Sequence, residues 1–325
     1  MMITNSEINK SLKKNFKGLK VNYSFKKITT MKIGGLARYF LVVKKETELV
    51  EAIFLAQQLK LKWYIIGDGS NLIPDDLGFD GLIIKNQITD FIVQDNKIFI
   101  GAGNNLLNTI LNLDKLGLAG LEKMAGIPGT IGGAIYGSAG AYGQEIKDCL
   151  SRVRIFDGKV FKWLSKKNCR FQYRNSLFKS QKNLIIVGVE FICPKKEAKE
   201  LLKISQDIIK LREKKYQPGL LCPGSFFKNI VIKDIGLEKI RKKLLSKIDS
   251  NKVIFGKIPV GHLLETVGAR GLKQGGVIVA SHHGNLLYHE GKGRAKDVVI
   301  LANLLKNRVK KHFGIIIEEE VQYVK

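Results

Sequence analysis

Several features are scarce or missing in this sequence of 325 residues, and each absence narrows the possibilities. No run approaches the roughly 18 consecutive apolar residues that a membrane-spanning helix needs. The opening MMITNSEINKSLKKNF lacks the apolar core of a secretory leader, so a cytoplasmic chain without a membrane partner is expected. Cysteine is limited to Cys149, Cys169, Cys193 and Cys222, which stand far apart with no C-x-x-C. Reduced, scattered thiols and no metal site are the expectation. Acidic residues are few, 29 against 55 basic, giving a net charge of +26. Yet only ten of the basic residues are Arg, the usual reader of base edges. There is no RNP-like aromatic motif, zinc-finger spacing or dense basic tail, and the lysines are spread from Lys10 to Lys325. A nucleic-acid partner is therefore not expected, whereas attraction for anionic small molecules is.

The composition is that of a globular protein, 45% hydrophobic and 26% charged, long enough for about two domains. No internal repeat or low-complexity segment is evident. Residues 1–28 read as a polar lead-in with room for a short amphipathic helix. Strands are predicted at RYFLVV (38–43), WYIIG (63–67), GLIIK (81–85), FIVQ (91–94) and KIFIGAG (97–103). Helices are predicted over ETELVEAIFLAQQLK and over NNLLNTILNLDKLGL, the second opening on an Asn suited to capping. CLSRVRIF and KVFKWL read as a hairpin across Asp157-Gly158. NLIIVGVEF (183–191) is a further strand, a lysine-rich helix covers roughly 195–215, and another helix runs from about 294 to 312. GIIIEEEVQYV is predicted as the last strand. Short strands mixed with helices, without a strict βαβ rhythm, indicate an α+β fold.

GAGNNL (101–106) follows a strand and opens a helix but lacks the third Gly and the distant acidic residue of a dinucleotide fingerprint, so it is rejected as one. Two other segments are more informative. GDGSN (67–71) follows a buried strand and offers main-chain N–H groups to an anion such as a diphosphate. In GIPGTIGGAIYGSAGAYG (126–143), seven of eighteen residues are Gly and none is charged. So much glycine suits close approach of the main chain to something flat or highly charged.

TTMKIGG (29–35), GDGSN, the 126–143 tract, YRNSLF (173–178), CPGSFFKN (222–229) and EEEV (318–321), in that order, resemble the UDP-N-acetylenolpyruvoylglucosamine reductase family. The likeness runs from about residue 28 to the C-terminus. It implies a two-lobed FAD-binding domain of the vanillyl-alcohol oxidase type over 29–212, followed by a smaller α+β substrate-binding domain over 213–325. It further implies noncovalent FAD, NADPH as hydride donor, and UDP-N-acetylglucosamine enolpyruvate as the substrate reduced to UDP-N-acetylmuramate for peptidoglycan. A monomer is expected.

By the same resemblance, Gly67, Asp68, Gly69, Ser70, Asn71 and Leu72 would hold the FAD pyrophosphate. Gly126, Ile127, Pro128, Gly129, Thr130, Gly132, Gly133, Ser138, Ala139, Gly140, Ala141 and Tyr142 would form the wall against the cofactor. Arg174 matches the cation that stabilises enolate charge, Ser225 the proton donor to C2, and Glu320 the catalytic carboxylate, with Glu318 as reserve. Tyr173, Lys215 and Asn229 match positions that contact the UDP-sugar, although the chain reads KYQP where the family often has Lys two residues before Pro. Lys228 and Lys215 are both candidates to resupply the Ser225 proton, and the sequence does not choose between them.

The chain departs from the family at Ser138, usually Asn, and at Ile230, usually Pro. The short stretch between Arg174 and Ser225 resembles the branch without an inserted loop carrying a substrate-closing tyrosine. His282-His283, read as strand neighbours facing opposite ways, would not chelate a metal together. The rival readings are an oxidase on the same flavin domain and a nucleic-acid-binding protein that uses the positive charge.

Overall fold

The computed structural model describes residues 4–325 and divides into two compact units. Of the described residues, the first comprises 4–23, 36–69 and 79–214; the second comprises 24–35, 70–78 and 215–325. Both mix helices and strands, as the α+β expectation has it.

One sheet of the first unit has the strand order Lys20–Ser24, Leu36–Val43, Phe79–Asn86, Lys62–Ile66. Phe79–Asn86 lies parallel to both of its neighbours Leu36–Val43 and Lys62–Ile66. Its near-continuous apolar run, GLIIK, is what a strand covered on both faces requires. The Glu46–Gln58 helix turns Leu49, Ala52, Ile53 and Ala56 inward, one stripe at helical spacing, into the same core. The lead-in contributes as well: Asn5–Asn15 is a helix closed by a capping box between Thr4 and Glu7, and Ile8 and Leu12 are buried in that core.

The second sheet of this unit is antiparallel, in the order Phe161–Ser165, Leu150–Phe156, Ile185–Ile192, Lys97–Gly101, Phe91–Gln94. The predicted hairpin is there. Asp157 accepts from the N–H groups of Lys159 and Val160 at 3.0 and 2.9 Å, and Gly158 takes a φ of +95°. The Leu106–Lys115 helix starts from Asn105, whose side chain accepts from Asn108 N at 3.0 Å.

That helix buries a carboxyl, Asp114, which accepts from Ser205 Oγ at 2.5 Å. Burial pushes its pKa up to about 6, with the nearby Glu122 adding to the rise and Ser205 opposing it. Because the folded value lies above the unfolded one, the protonated form stabilises the fold. That contribution is complete below about pH 4 and is lost as pH rises through 6. Asp114→Asn keeps an acceptor for Ser205 without the charge. It is expected to raise unfolding free energy at pH 8 by on the order of 2 kcal/mol, and by much less at pH 4. Urea titrations at the two pH values check this; an equal effect at both would refute it.

In the second unit, Lys273–Gln274, Val277–Val279 and Leu287–His289 form a three-stranded antiparallel sheet. The Ala295–Phe313 helix buries Val298, Leu301, Ala302, Leu305, Val309 and Phe313 in the same core and ends at Gly314 in the left-handed region. No side chain of its own N-cap residue closes this helix; instead Asp76 accepts from the N–H groups of Ala295 and Lys296 at 2.9 and 3.0 Å. A carboxylate there satisfies two orphan donors and complements the helix dipole. The expected last strand is shorter than GIIIEEEVQYV. Only Gln322–Val324 is a strand, parallel to Leu72–Pro74, while Glu319 forms an isolated bridge with Phe227. Among the described residues no helix is long and apolar enough to cross a membrane.

Candidate active site

In the first unit the glycine tract folds as two sharp bends and one short helix. Gly126 and Gly129 have φ values of +80° and +122°, which only Gly adopts freely. Thr130 then caps the Ile131–Gly137 helix by accepting from Gly133 N at 3.2 Å. Gly67 is required by proximity, since a Cβ there would strike Thr130 Oγ1. Gly132 is held just as closely, its N–H donating to Ala102 O at 2.8 Å.

Asn105 links the two glycine segments: its side-chain amide reaches Asp68 at 3.5 Å and Gly129 O at 3.4 Å. Asp68, the one charge in GDGSN, pairs with Lys85 at 3.1 Å. That ion pair offsets a negative charge that would otherwise repel an anion at the turn. Neither Asn105 nor Lys85 carries a sequence signal that tied it to GDGSN.

Past Thr130 the tract opens. A Cβ at Gly137 would meet nothing within 4 Å, and one at Gly133 only Thr130 Oγ1 at 3.5 Å. Ser138 ends the helix in the left-handed region, φ +48°, and its hydroxyl is buried with no hydrogen-bond partner among the described residues. A buried hydroxyl left this way costs on the order of 1–3 kcal/mol unless something bonds it. Bare space beside main chain, with an unanswered hydroxyl, fits the edge of a bound cofactor such as FAD.

Arg174 joins this tract. Its guanidinium donates to Gly140 O at 2.8 Å and Ser138 O at 3.4 Å, and lies 5.2 Å from the ring of Tyr173. Its φ is +53°, a left-handed conformation that a non-Gly residue keeps only when its surroundings impose it. Lys179 secures it by donating to the Arg174 carbonyl at 2.8 Å.

The second unit gathers Ser70, Asn71, Leu72, Lys215, Ser225, Asn229 and Glu320. Thr30, from TTMKIGG, donates to both Ser70 O and Cys222 O, at 3.2 and 2.9 Å. Asn71 donates to Pro223 O at 3.1 Å, and its own carbonyl accepts from Gln322 N at 2.9 Å. The CPGS loop, the SN of GDGSN and the C-terminal segment are thus tied by main chain and short side chains.

Residues 226–228 then run beside 318–320. Lys228 N donates to Glu318 O at 2.9 Å and Glu320 N to Phe226 O at 2.8 Å. Glu320 and Phe226, the residue after Ser225, are far apart in sequence and become main-chain neighbours. Fully buried Phe226 and Phe227 anchor the segment, and Asn285 clamps Phe227 from both sides at 2.8 Å. Glu318 is engaged by Lys228 at 2.8 Å and Glu319 by Lys306 at 2.5 Å. Asn229 accepts from Val260 N at 3.2 Å, at the start of the Val260–Thr266 helix.

His282 and His283 do not lie in a strand; they sit in the turn between Val277–Val279 and Leu287–His289. His282 Nε2 donates to Lys215 O at 3.0 Å. Burial, helped by the charge of Lys215, pushes His283 down to about 4, so it is neutral at pH 7. Among the described residues no group of three or more His, Cys, Asp or Glu is placed to hold a metal.

The sequence matches the C-terminal domain of UDP-N-acetylenolpyruvoylglucosamine reductase over residues 217–324 and an FAD binding domain over residues 37–160. A UDP-N-acetylenolpyruvoylglucosamine reductase of Solibacter usitatus is 39% identical over 91% of this chain and 93% of its own length. One from Bacillus cereus, named reductase 1, is 31% identical over 94% of each chain. The crystal structure of the Thermus caldophilus reductase superposes with a TM-score of 0.71 at 27% identity, covering 94% of this chain and 98% of that one. With this fold, this glycine wall and these likenesses, the chain belongs to the UDP-N-acetylenolpyruvoylglucosamine reductase family of oxidoreductases and carries its FAD-binding domain.

Proposed function

We propose that this chain reduces UDP-N-acetylglucosamine enolpyruvate to UDP-N-acetylmuramate with NADPH, a step toward peptidoglycan. The names of its relatives support reduction of the enolpyruvyl nucleotide. The observation that supports the reading for this chain's residues is the 2.8 Å bond from Glu320 N to Phe226 O, which brings the EEEV main chain alongside that of CPGSFFKN.

FAD would be held by Gly126–Thr130, Gly132, Gly133 and Ser138–Tyr142, with Gly67–Leu72 at its pyrophosphate. When bound, FAD would supply two-electron hydride chemistry between NADPH and C3 of the enolpyruvyl group. The substrate carboxylate then carries enolate charge. Arg174 stabilises that charge; its two bonds to tract carbonyls preorganise the guanidinium, so little reorganisation accompanies the reaction. Ser225 delivers a proton to C2, and Glu320 assists that transfer. Tyr173, Lys215 and Asn229 orient the UDP-sugar.

An anaerobic visible spectrum tests this. The purified holoprotein is expected to show oxidised flavin, to bleach with NADPH, and to recover its colour on adding the enolpyruvyl nucleotide. Bleaching without recovery would keep the flavin and remove the substrate.

A further inference from the structure

Ser225 has a partner that the proposed mechanism does not yet use. Tyr216 Oη lies 2.7 Å from Ser225 Oγ, a distance at which either oxygen donates to the other. The Tyr216 ring is fixed by packing: with Leu220 and Tyr288 it lies against buried Cys222, Ala280 and Leu286. Leu286 is itself bridged to Ser225 through the main chain, so both hydroxyls sit on the same local frame. Lys215 Nζ stands 5.0 Å from the ring centroid, and the Lys215 carbonyl is bonded to His282. Lys228, the other cation near Ser225 in sequence, is occupied by Glu318 at 2.8 Å.

From this geometry we infer that Tyr216 is the positioning residue of the proton-transfer step: it orients the Ser225 hydroxyl and returns its proton. The inference rests on Ser225 being the donor to C2. A bare serine hydroxyl is a poor acid, because the alkoxide it would leave is high in energy. Passing the charge onward removes that difficulty. As the Ser225 O–H bond breaks and a C–H bond forms at C2, the Tyr216 O–H bond breaks and Ser225 Oγ–H re-forms. Enolate charge is thereby exchanged for phenolate charge. The phenolate sits near the Lys215 ammonium and regains a proton from water, so one solvent proton is consumed per turnover.

The test uses holoenzyme pre-reduced with NADPH and mixed anaerobically with the enolpyruvyl nucleotide, together with steady-state assays. Tyr216→Phe keeps the packed ring and removes the hydroxyl. It is expected to slow flavin reoxidation and kcat about tenfold, with KM within twofold. The NADPH bleaching rate should stay at the wild-type value, which also certifies the fold. The solvent deuterium isotope effect on reoxidation should differ from wild type, a change that loss of packing alone would not produce. In a Ser225→Ala background, Tyr216→Phe is expected to add nothing. Reoxidation by Tyr216→Phe within twofold of wild type, or an equal slowing in both backgrounds, overturns the proposal while leaving Ser225 in place. Undiminished turnover by Ser225→Ala removes the donor reading itself, and this proposal with it.

Discussion

Ser225→Ala is expected to lower kcat on the order of a thousandfold while leaving flavin bleaching by NADPH untouched. The magnitude is that of removing a positioned general acid. The two half-reactions separate because Ser225 belongs to the protonation of substrate and has no part in hydride uptake. The fold should survive: the hydroxyl's one described bond, to Tyr216, is part-buried, and losing it costs about 1 kcal/mol. The flanking Phe226 and Phe227, with the Asn285 clamp, stay in place. Stopped-flow absorbance of the flavin reads both half-reactions in one sample. If reoxidation by the enolpyruvyl nucleotide stays within twofold of wild type, another group protonates C2.

Arg174→Met should cost 10²- to 10³-fold in kcat, the price of removing a preorganised donor from developing charge. Arg174→Lys keeps the charge but cannot fork, so it is expected to fall between the two. The Met variant also loses the bonds to Gly140 O and Ser138 O, and the Lys variant their forked pairing, which braces the last part of the glycine tract. Flavin affinity should therefore drop together with turnover, by several-fold in a fluorescence titration. Turnover by the Met variant within tenfold of wild type at saturating FAD would refute the catalytic role. An affinity loss alone would leave Arg174 as a brace of the tract.

Much of this was legible in the sequence where the signal is local. The 126–143 tract shows its bare main chain through its glycines, whereas its bends at Gly126 and Gly129 and the helix capped by Thr130 are seen in the structure. The Leu106–Lys115 helix and the hairpin at Asp157-Gly158 are legible because capping and turn signals are written in single residues. What sequence could not give is pairing at long range. Nothing in EEEV says that Glu320 will bond to Phe226, so the tail was read as one long strand. Tyr216, in KYQP, carries no mark of its bond to Ser225, since that depends on packing from Leu286 and Tyr288. His282 and His283 lack a strand's geometry because the chain turns there.

Parallel pairing of Leu72–Pro74 with Gln322–Val324 has a consequence for how the molecule is made. Roughly 250 residues lie between the two strands, and a ribosome adds them in on the order of 10–50 s. Throughout that interval residues 70–78 and 24–35 have been synthesised, but most of the unit they belong to has not. Their apolar members, Ile73, Met31 and Ile33, are buried in the finished core together with residues from Phe226 to Val321, which are made much later. Until that region is made, chaperone demand should fall on the nascent chain's early segments rather than on its newest ones.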